Sequence, residues 1–317
     1  MEVITMYTIP GHHHISMITK DAQQNNKFYR DILGLRRVKV TVNQDDTSMY
    51  HLFYGDKTGS PGTELSFFEI PLVGRTHRGT NAITKIGLIV PSVDSLQYWV
   101  NRLDEFGVKH EGITMFAGRP ALLFEDEEGL RLALIAAPNT KVGHWESYEK
   151  SPVPVQHQIQ GMGTVEITVK NKGKLVRTLT EIFGYELKTQ SETTALLQSI
   201  NDEMFGEIYI VEQDGPSEKP GHGSIHHLAI RVKNDEELAY WDEQVKARGF
   251  ISSGIVDRFY FKSLYFRESN GILFEIATDG PGFLRDGDVD SLGEQLDLPD
   301  FLEPQREEIT AKLKPIL

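Results

Sequence analysis

ALLFEDEEGLRLALI (residues 121–135) and SLYFRESNGILFEIA (residues 263–277) align without a gap, with Phe124 on Phe266 and Gly129 on Gly271. In both, apolar residues alternate on either side of a glycine-containing turn, which is the pattern of a hairpin between two half-buried strands. A hairpin this similar in two distant places points to an internal repeat, and a repeat decides the fold.

Working outward, four segments share a beginning. They are HHISMITKDAQQNNKFYRDILGL from His13, TKIGLIVPSVDSLQYWVNRLDEFG from Thr84, GTVEITVKNKGKLVRTLTEIFGY from Gly163 and HHLAIRVKNDEELAYWDEQVKARGF from His226. In each, apolar residues first alternate and then recur every three or four positions, which means a strand followed by an amphipathic helix. The helices end near Gly34, Gly107, Gly184 and Gly249, as expected of left-handed caps. Strands follow each helix; the first unit closes in TELSFFEIP and the third in GEIYIVEQDGP. The expected fold class is α+β, with four βαβββ modules. One module leaves a half-apolar sheet open, so modules curl around one another in pairs and form two paired-module open barrels.

A chain of 317 residues suggests two domains. The expected division is an N-terminal pair of modules (1–141), a polar linker with two prolines (142–160), a C-terminal pair (161–279) and a tail (280–317). The tail ends in PQREEITAKLKPIL, a helix with Pro304 in its first turn, and reads as a packing arm or a cover. The net charge of −13 argues against a nucleic-acid partner. There is no cysteine, so thiolate metal sites, iron–sulfur clusters and a cysteine nucleophile are excluded. No apolar run approaches the roughly 18–20 residues of a membrane span, so no membrane association is expected. MEVITMYTIPG lacks a basic start and a long apolar stretch. A cytoplasmic location is the expectation.

Paired histidines stand at two module starts, His13-His14 in GHHHISMI and His226-His227 in SIHHLAIRV, and Glu275 follows in GILFEIATDG. Two imidazoles and one carboxylate hold Fe(II) on one face and leave the opposite positions open. Superposed, the modules place His14, Lys85, Thr164 and His227 at one position. Glu275 aligns with Ala133 and approximately Ile210, and FFEIP laid on LFEIA brings Glu69 there. A site built from His14, His227 and Glu275 requires the first and fourth modules to pair, leaving the second and third as a metal-free pair.

The βαβββ units, the opening HHIS, FYRDILGL, IHHLAIRV and the ending FEIATDGPGF resemble the vicinal oxygen chelate (glyoxalase/bleomycin resistance/dioxygenase) superfamily. Within it, the chain is most similar to bacterial ring-cleaving extradiol dioxygenases acting on hydroquinones. The resemblance covers essentially the whole chain. It implies one Fe(II), with Mn(II) as the alternative, on His14, His227 and Glu275. It also implies supporting roles for His13, His226, Arg258 and Tyr265, and more weakly for Ser16, which stands where such enzymes often carry a small hydroxyl.

Each residue has a plainer reading. Neighbours on a regular strand point to opposite faces, so both members of a histidine pair reach one cavity only if the strand is bent or bulged. Otherwise the pairs are strand-end histidines. Glu275 lies between Phe274 and Ile276, and periodicity does not decide whether it faces inward, where an unpaired carboxylate is costly, or outward. Glu69 reads as a structural residue or an alternative ligand. Arg258 suits an anionic phenolate and Tyr265 a metal-bound oxygen; the plainer alternatives are a surface Arg and a core Tyr. His51, His77, His110, His144, His157 and His222 read as surface or loop residues. No nucleophile-elbow, Walker or dinucleotide fingerprint is present.

The expected activity is opening of a hydroquinone or catechol-like aromatic diol with O2, with His226 or His13 as the acid–base group. A homo-oligomer is expected. The rivals are a glyoxalase-type or thiol-transferase metalloenzyme, for which the resemblance implies a second glutamate and gives Glu69 its interest, and a non-enzymatic small-molecule binder of the same fold.

Overall fold

The structure, a computed structural model, describes residues 7–137, 145–199 and 205–316. His144 lies outside the described residues. The four expected modules are present. The first comprises β1 (His12–Thr19), α1 (Ala22–Asn26, continued by a π-helical turn over Lys27–Ile32), β2 (Arg36–Asn43), β3 (Asp46–Gly55) and β4 (Glu64–Glu69). The second comprises β5 (Ala82–Val90), α2 (Val93–Glu105), β6 (His110–Phe116), β7 (Arg119–Glu125) and β8 (Arg131–Ala136). The third comprises β9 (Gly161–Val169), α3 (Lys172–Glu181), β10 (Glu186–Gln190), β11 (Thr194–Gln198) and β12 (Glu207–Glu212). The fourth comprises β13 (Ser224–Val232), α4 (Asp235–Ala247), β14 (Val256–Asp257), β15 (Phe261–Arg267) and β16 (Leu273–Pro281).

Each helix starts where a short polar side chain takes up its first free N–H groups: Asp21, Ser92, Asn171 and Asn234. Each is followed by a glycine at positive φ, at 34, 107, 184 and 249. In every module the last strand returns parallel beside the first. The strands form two eight-stranded sheets, ordered β14-β15-β16-β13-β1-β4-β3-β2 and β10-β11-β12-β9-β5-β8-β7-β6. The first and fourth modules therefore share one sheet, joined by the antiparallel pair β1–β13, and the second and third share the other, joined by β5–β9. No helix among the described residues is long and apolar enough to cross a membrane.

Bulges interrupt the β1–β13 ladder at two places. His12 faces Ile230 and His14 faces Ala229, so His13 is the extra residue on β1. Ser16 faces His227 and Met17 faces Ile225, so His226 is the extra residue on β13. A bulge re-aims a side chain, which is the bend that both histidine pairs require.

The tail is a strap across the outer edge at β2. Val40 bridges to Leu296, and Asp297 N–H donates to the Val40 carbonyl at 2.9 Å. Lys39, fully buried, reaches Asp286 at 2.7 Å and Asp297 at 2.8 Å. Gly293 lies so close that a Cβ there would sit 1.8 Å from the Arg37 carbonyl oxygen. The strap covers what would otherwise be an open strand edge. Removing the one cation from this cluster leaves two part-buried carboxylates facing each other, so Lys39→Ala should lose about 3 kcal/mol. Denaturant unfolding and limited proteolysis of the tail measure this; an unchanged midpoint would show the strap to be decorative.

The aligned hairpins also reveal a shared turn device. Asp126 accepts from the backbone of Glu128 and Leu130, and Glu268, its repeat equivalent, accepts from Asn270 and Ile272. Asp126 additionally takes the Tyr29 hydroxyl of the first module at 3.0 Å. Burial raises Asp126 to about 6, against the lowering effect of these bonds. A carboxyl held more tightly protonated when folded adds stability at low pH that is lost as pH rises towards about 6. Asp126→Asn, which mimics the protonated form, should therefore gain stability over the native chain at pH 7.5 on the order of 1 kcal/mol and little at pH 4. Equal gains at both pH values would contradict this.

Candidate metal centre

The strand order sets β16, β13 and β1 side by side, and the register sets one residue of each on the same face. Ser16 is directly opposite His227, so His14, two residues back on β1, is its diagonal neighbour. Glu275 faces Ala229, two residues beyond His227. The result is three donor atoms in one place: His227 Nε2 is 2.7 Å from Glu275 Oε2, His14 Nε2 is 3.2 Å from it, and the two Nε2 atoms are 3.4 Å apart. All three side chains are buried.

The surrounding bonds orient these atoms. Glu275 Oε1 accepts the hydroxyls of Ser263 and of Tyr265, the latter at 3.1 Å, which turns Oε2 towards the imidazoles. Arg258 Nε donates to the Tyr265 hydroxyl at 3.2 Å, and Arg258 Nη1 to Asp45 at 3.1 Å. Behind His14, His13 Nε2 lies 3.0 Å from the Thr278 carbonyl oxygen, and the two Nδ1 atoms are 2.9 Å apart. Burial, reinforced by His14, lowers His13 to about 3, so it is neutral. A carbonyl only accepts, so the His13 proton sits on Nε2 and its Nδ1 accepts; His14 must then donate from Nδ1 and present a bare lone pair at Nε2. His226 and His227 repeat the contact between ring nitrogens, with Nδ1 atoms 2.7 Å apart.

A bare imidazole lone pair facing a carboxylate oxygen is repulsive unless a cation lies between them. Burial alone would raise Glu275; positive charge at the two ring nitrogens outweighs it and holds the group well below the carboxylate range, and where a ring presents a lone pair instead, a bound cation is what would supply that charge. Its Oε2 is buried without a properly aligned hydrogen bond, despite the short contacts. Donors at about 2.1 Å from an octahedral metal stand about 3 Å from each other, close to the three separations here. The residues fit a divalent metal. A second cluster, His13, His14 and Glu64, also converges. There, however, burial first and then Asp56 and Glu275 raise Glu64 well above its usual range, which disfavours the ionised form that a metal takes.

The triad forms part of the wall of a cavity of about 450 Å³. Val42, Met49, Phe53, Phe68, Ile70 and Leu273 form an apolar side, while Ser16, His226, Arg258 and Tyr265 stand around the triad. The ring of His226 is exposed to the cavity, yet burial by the surrounding protein, with His227 second, lowers it to about 4. His13 is buried behind His14 and does not line the cavity. Ser16 shares a 2.6 Å hydrogen bond with Ser66.

Three expectations change. Glu69 is not the counterpart of Glu275: the β1–β4 register puts Ser66 there, and Glu69 accepts from the Ala22 N–H at 2.8 Å, at the start of α1. In the third module the counterpart is Tyr209, one residue from Ile210. His51 is neither a surface nor a loop residue; it lies on β3 in the cavity wall. Burial, then His14 and His227, push its imidazole well below the ordinary range. Nothing in the repeat marks His51, because its module position carries no histidine elsewhere. In the other sheet the two histidine positions hold Lys85, which pairs with Glu166 at 3.0 Å, and Thr164, which together with Arg119 bonds Glu207, each at 2.5 Å.

Fold and site together define a paired-module βαβββ protein with a two-histidine, one-carboxylate centre. A model of the Glyoxalase/Bleomycin resistance protein/Dioxygenase superfamily matches residues 11–134. The chain is 48% identical over 314 residues, covering 97% of this chain and 99% of the other, to "Putative ring-cleaving dioxygenase MhqA" of Bacillus subtilis. It is 27% identical over 314 residues, 95% of each chain, to chlorohydroquinone/hydroquinone 1,2-dioxygenase of Sphingobium indicum. The crystal structure of a "putative dioxygenase" from Bacillus subtilis superposes with a TM-score of 0.91 at 32% identity, over 98% of this chain and 99% of that one. The chain belongs to the Glyoxalase/Bleomycin resistance protein/Dioxygenase superfamily.

His13→Phe keeps the ring's bulk but leaves the His14 Nδ1–H unpaired. Loss of such a supporting bond should weaken divalent metal binding about 10–100-fold. Chelator-competition titration with Fe(II) and Mn(II) checks this, and unchanged affinity would remove His13 from the orienting role.

Proposed function

We propose that this chain is a ring-cleaving dioxygenase that binds Fe(II) through His14, His227 and Glu275 and opens a hydroquinone or catechol-like ring with O2. The observation that carries this reading is the convergence of two imidazole Nε2 atoms and one carboxylate oxygen, all within 3.4 Å, in a cavity with a broad apolar side. The names of the relatives point the same way, since one is a ring-cleaving dioxygenase by name and another acts on hydroquinones. Mn(II) suits the same donors.

Bound there, Fe(II) would supply adjacent open positions for a phenolic oxygen and O2, and a path for electrons between them. Both oxygen atoms enter the product as a ring C–C bond breaks, so no outside reductant is required. The apolar side of the cavity holds the ring and keeps water from it. Arg258 is permanently charged, and through Tyr265 it sets a positive field beside the bound phenolic oxygen. His226, neutral and facing the cavity, takes the phenol's proton and returns it to the opened product. His13 positions His14. Ser66 stands where a second carboxylate would have to be, which favours ring cleavage over a glyoxalase-type isomerase.

Protein purified without oxygen and reloaded with Fe(II) should consume one O2 per hydroquinone or catechol opened. His227→Ala should abolish both metal retention and oxygen uptake while the chain still folds. Isomerisation of a thiol hemiacetal without oxygen uptake would replace this reading with the glyoxalase type. Absence of stoichiometric metal, with aromatics still bound by His227→Ala, would replace it with a binding protein.

A further inference from the structure

The cavity wall carries a further histidine, His51, that does not belong to the triad. His51 is paired with Phe68 across β3–β4 and with Thr41 across β2–β3. Its ring centroid is 4.1 Å from those of both Phe53 and Phe68, and it stacks on Phe68 at 28°. Phe68 in turn meets His226 edge-on at 5.8 Å. An aromatic row thus runs from the triad's neighbour His226 to His51, and the two phenylalanines hold the His51 ring in place.

Among the described residues His51 has no hydrogen-bond partner. Its Nε2 is buried without a hydrogen bond, and Nδ1 makes none to any described residue. A neutral imidazole always carries one donor and one acceptor, and buried polar groups in native proteins are normally satisfied. Three other polar groups of the cavity wall are engaged: Tyr265 with Arg258 and Glu275, Ser16 with Ser66, and Tyr260 with Asp286. The Thr41 hydroxyl, adjacent to His51, also lacks an aligned hydrogen bond, although Tyr260 is within its reach.

Resting on the dioxygenase reading above, we infer that His51 is the second anchor of the substrate, hydrogen-bonding a hydroxyl on the side of the ring away from the triad. A para-diol reaches the metal through only one oxygen and would otherwise pivot about it. His51 removes that freedom. A catechol, with both hydroxyls at the triad, leaves His51 unpaired, and so does a simple phenol. The site is therefore built for hydroquinones over catechols, with Phe53 and Phe68 holding the imidazole that makes the distinction.

Anaerobic calorimetric binding to the Fe(II)-loaded protein tests this with hydroquinone, catechol and 4-methylphenol, whose methyl group replaces the second hydroxyl. The native chain should prefer hydroquinone to 4-methylphenol by about tenfold or more, because a site built to pair a hydroxyl rejects the analogue lacking it. His51→Phe should reduce that ratio to within about twofold, and His51→Gln, which keeps a donor and an acceptor, should retain most of it. If His51→Phe does not fold, His51→Met carries the same comparison. A ratio unchanged in a folded His51→Phe or His51→Met protein overturns the inference, even if oxygen uptake persists. A ratio that collapses as expected while the native chain consumes no oxygen supports the anchor and instead overturns the dioxygenase reading.

Discussion

The antiparallel seam between β1 and β13 is the interaction on which the rest depends. It joins strands whose key residues, His14 and His227, are 213 positions apart in the chain. Everything at the site follows from its register. Diagonal neighbours across an antiparallel pair share a face, so the two histidines meet, and β16, parallel beside β13, adds Glu275 to that face. The two bulges then turn His13 and His226 from the opposite faces of regular strands to positions beside their neighbours. A one-residue slip in this seam would take the two histidines off their common face.

The buried carboxylate of Glu275 is oriented by its surroundings. One oxygen of Glu275 is taken by two hydroxyls, and the other is left to the imidazoles. Each imidazole is turned by the histidine beside it, and the first pair is anchored on the Thr278 carbonyl. The inner pair of modules shows the alternative solution to the same geometry. There Lys85 and Thr164 stand at the histidine positions and are engaged by Glu166 and Glu207, the latter also paired with Arg119, so ion pairs take the place of a converging ligand set.

Two further devices tie the first and fourth modules together around the cavity. On one side the tail places Asp286 between Lys39 of the first module and Tyr260 of the fourth. At the mouth, the β2–β3 turn reaches across: Gln44 donates to the Arg258 carbonyl and Asp45 pairs with the Arg258 guanidinium. The cavity walls thus belong to both ends of the chain, and neither module alone contains the site.

The sequence by itself determined the modules, because strand and helix periods, polar N-caps and glycine ends are local properties of the chain. It also pointed to which modules pair: a site built from His14, His227 and Glu275 requires the chain's ends to meet, and the strand order does join the first module to the fourth. Register was harder to read. FFEIP and LFEIA look alike, yet Glu69 lies three residues from the position of Glu275, because only the pairing of β4 with β1 sets which residue faces the site. His51 was illegible for a related reason: a lone histidine in an alternating strand has no local signature, and its lack of a partner exists only once Phe53, Phe68 and the cavity surround it. Tertiary structure decided those points because they depend on which atoms remain unpaired after folding, and no local pattern along the chain records that.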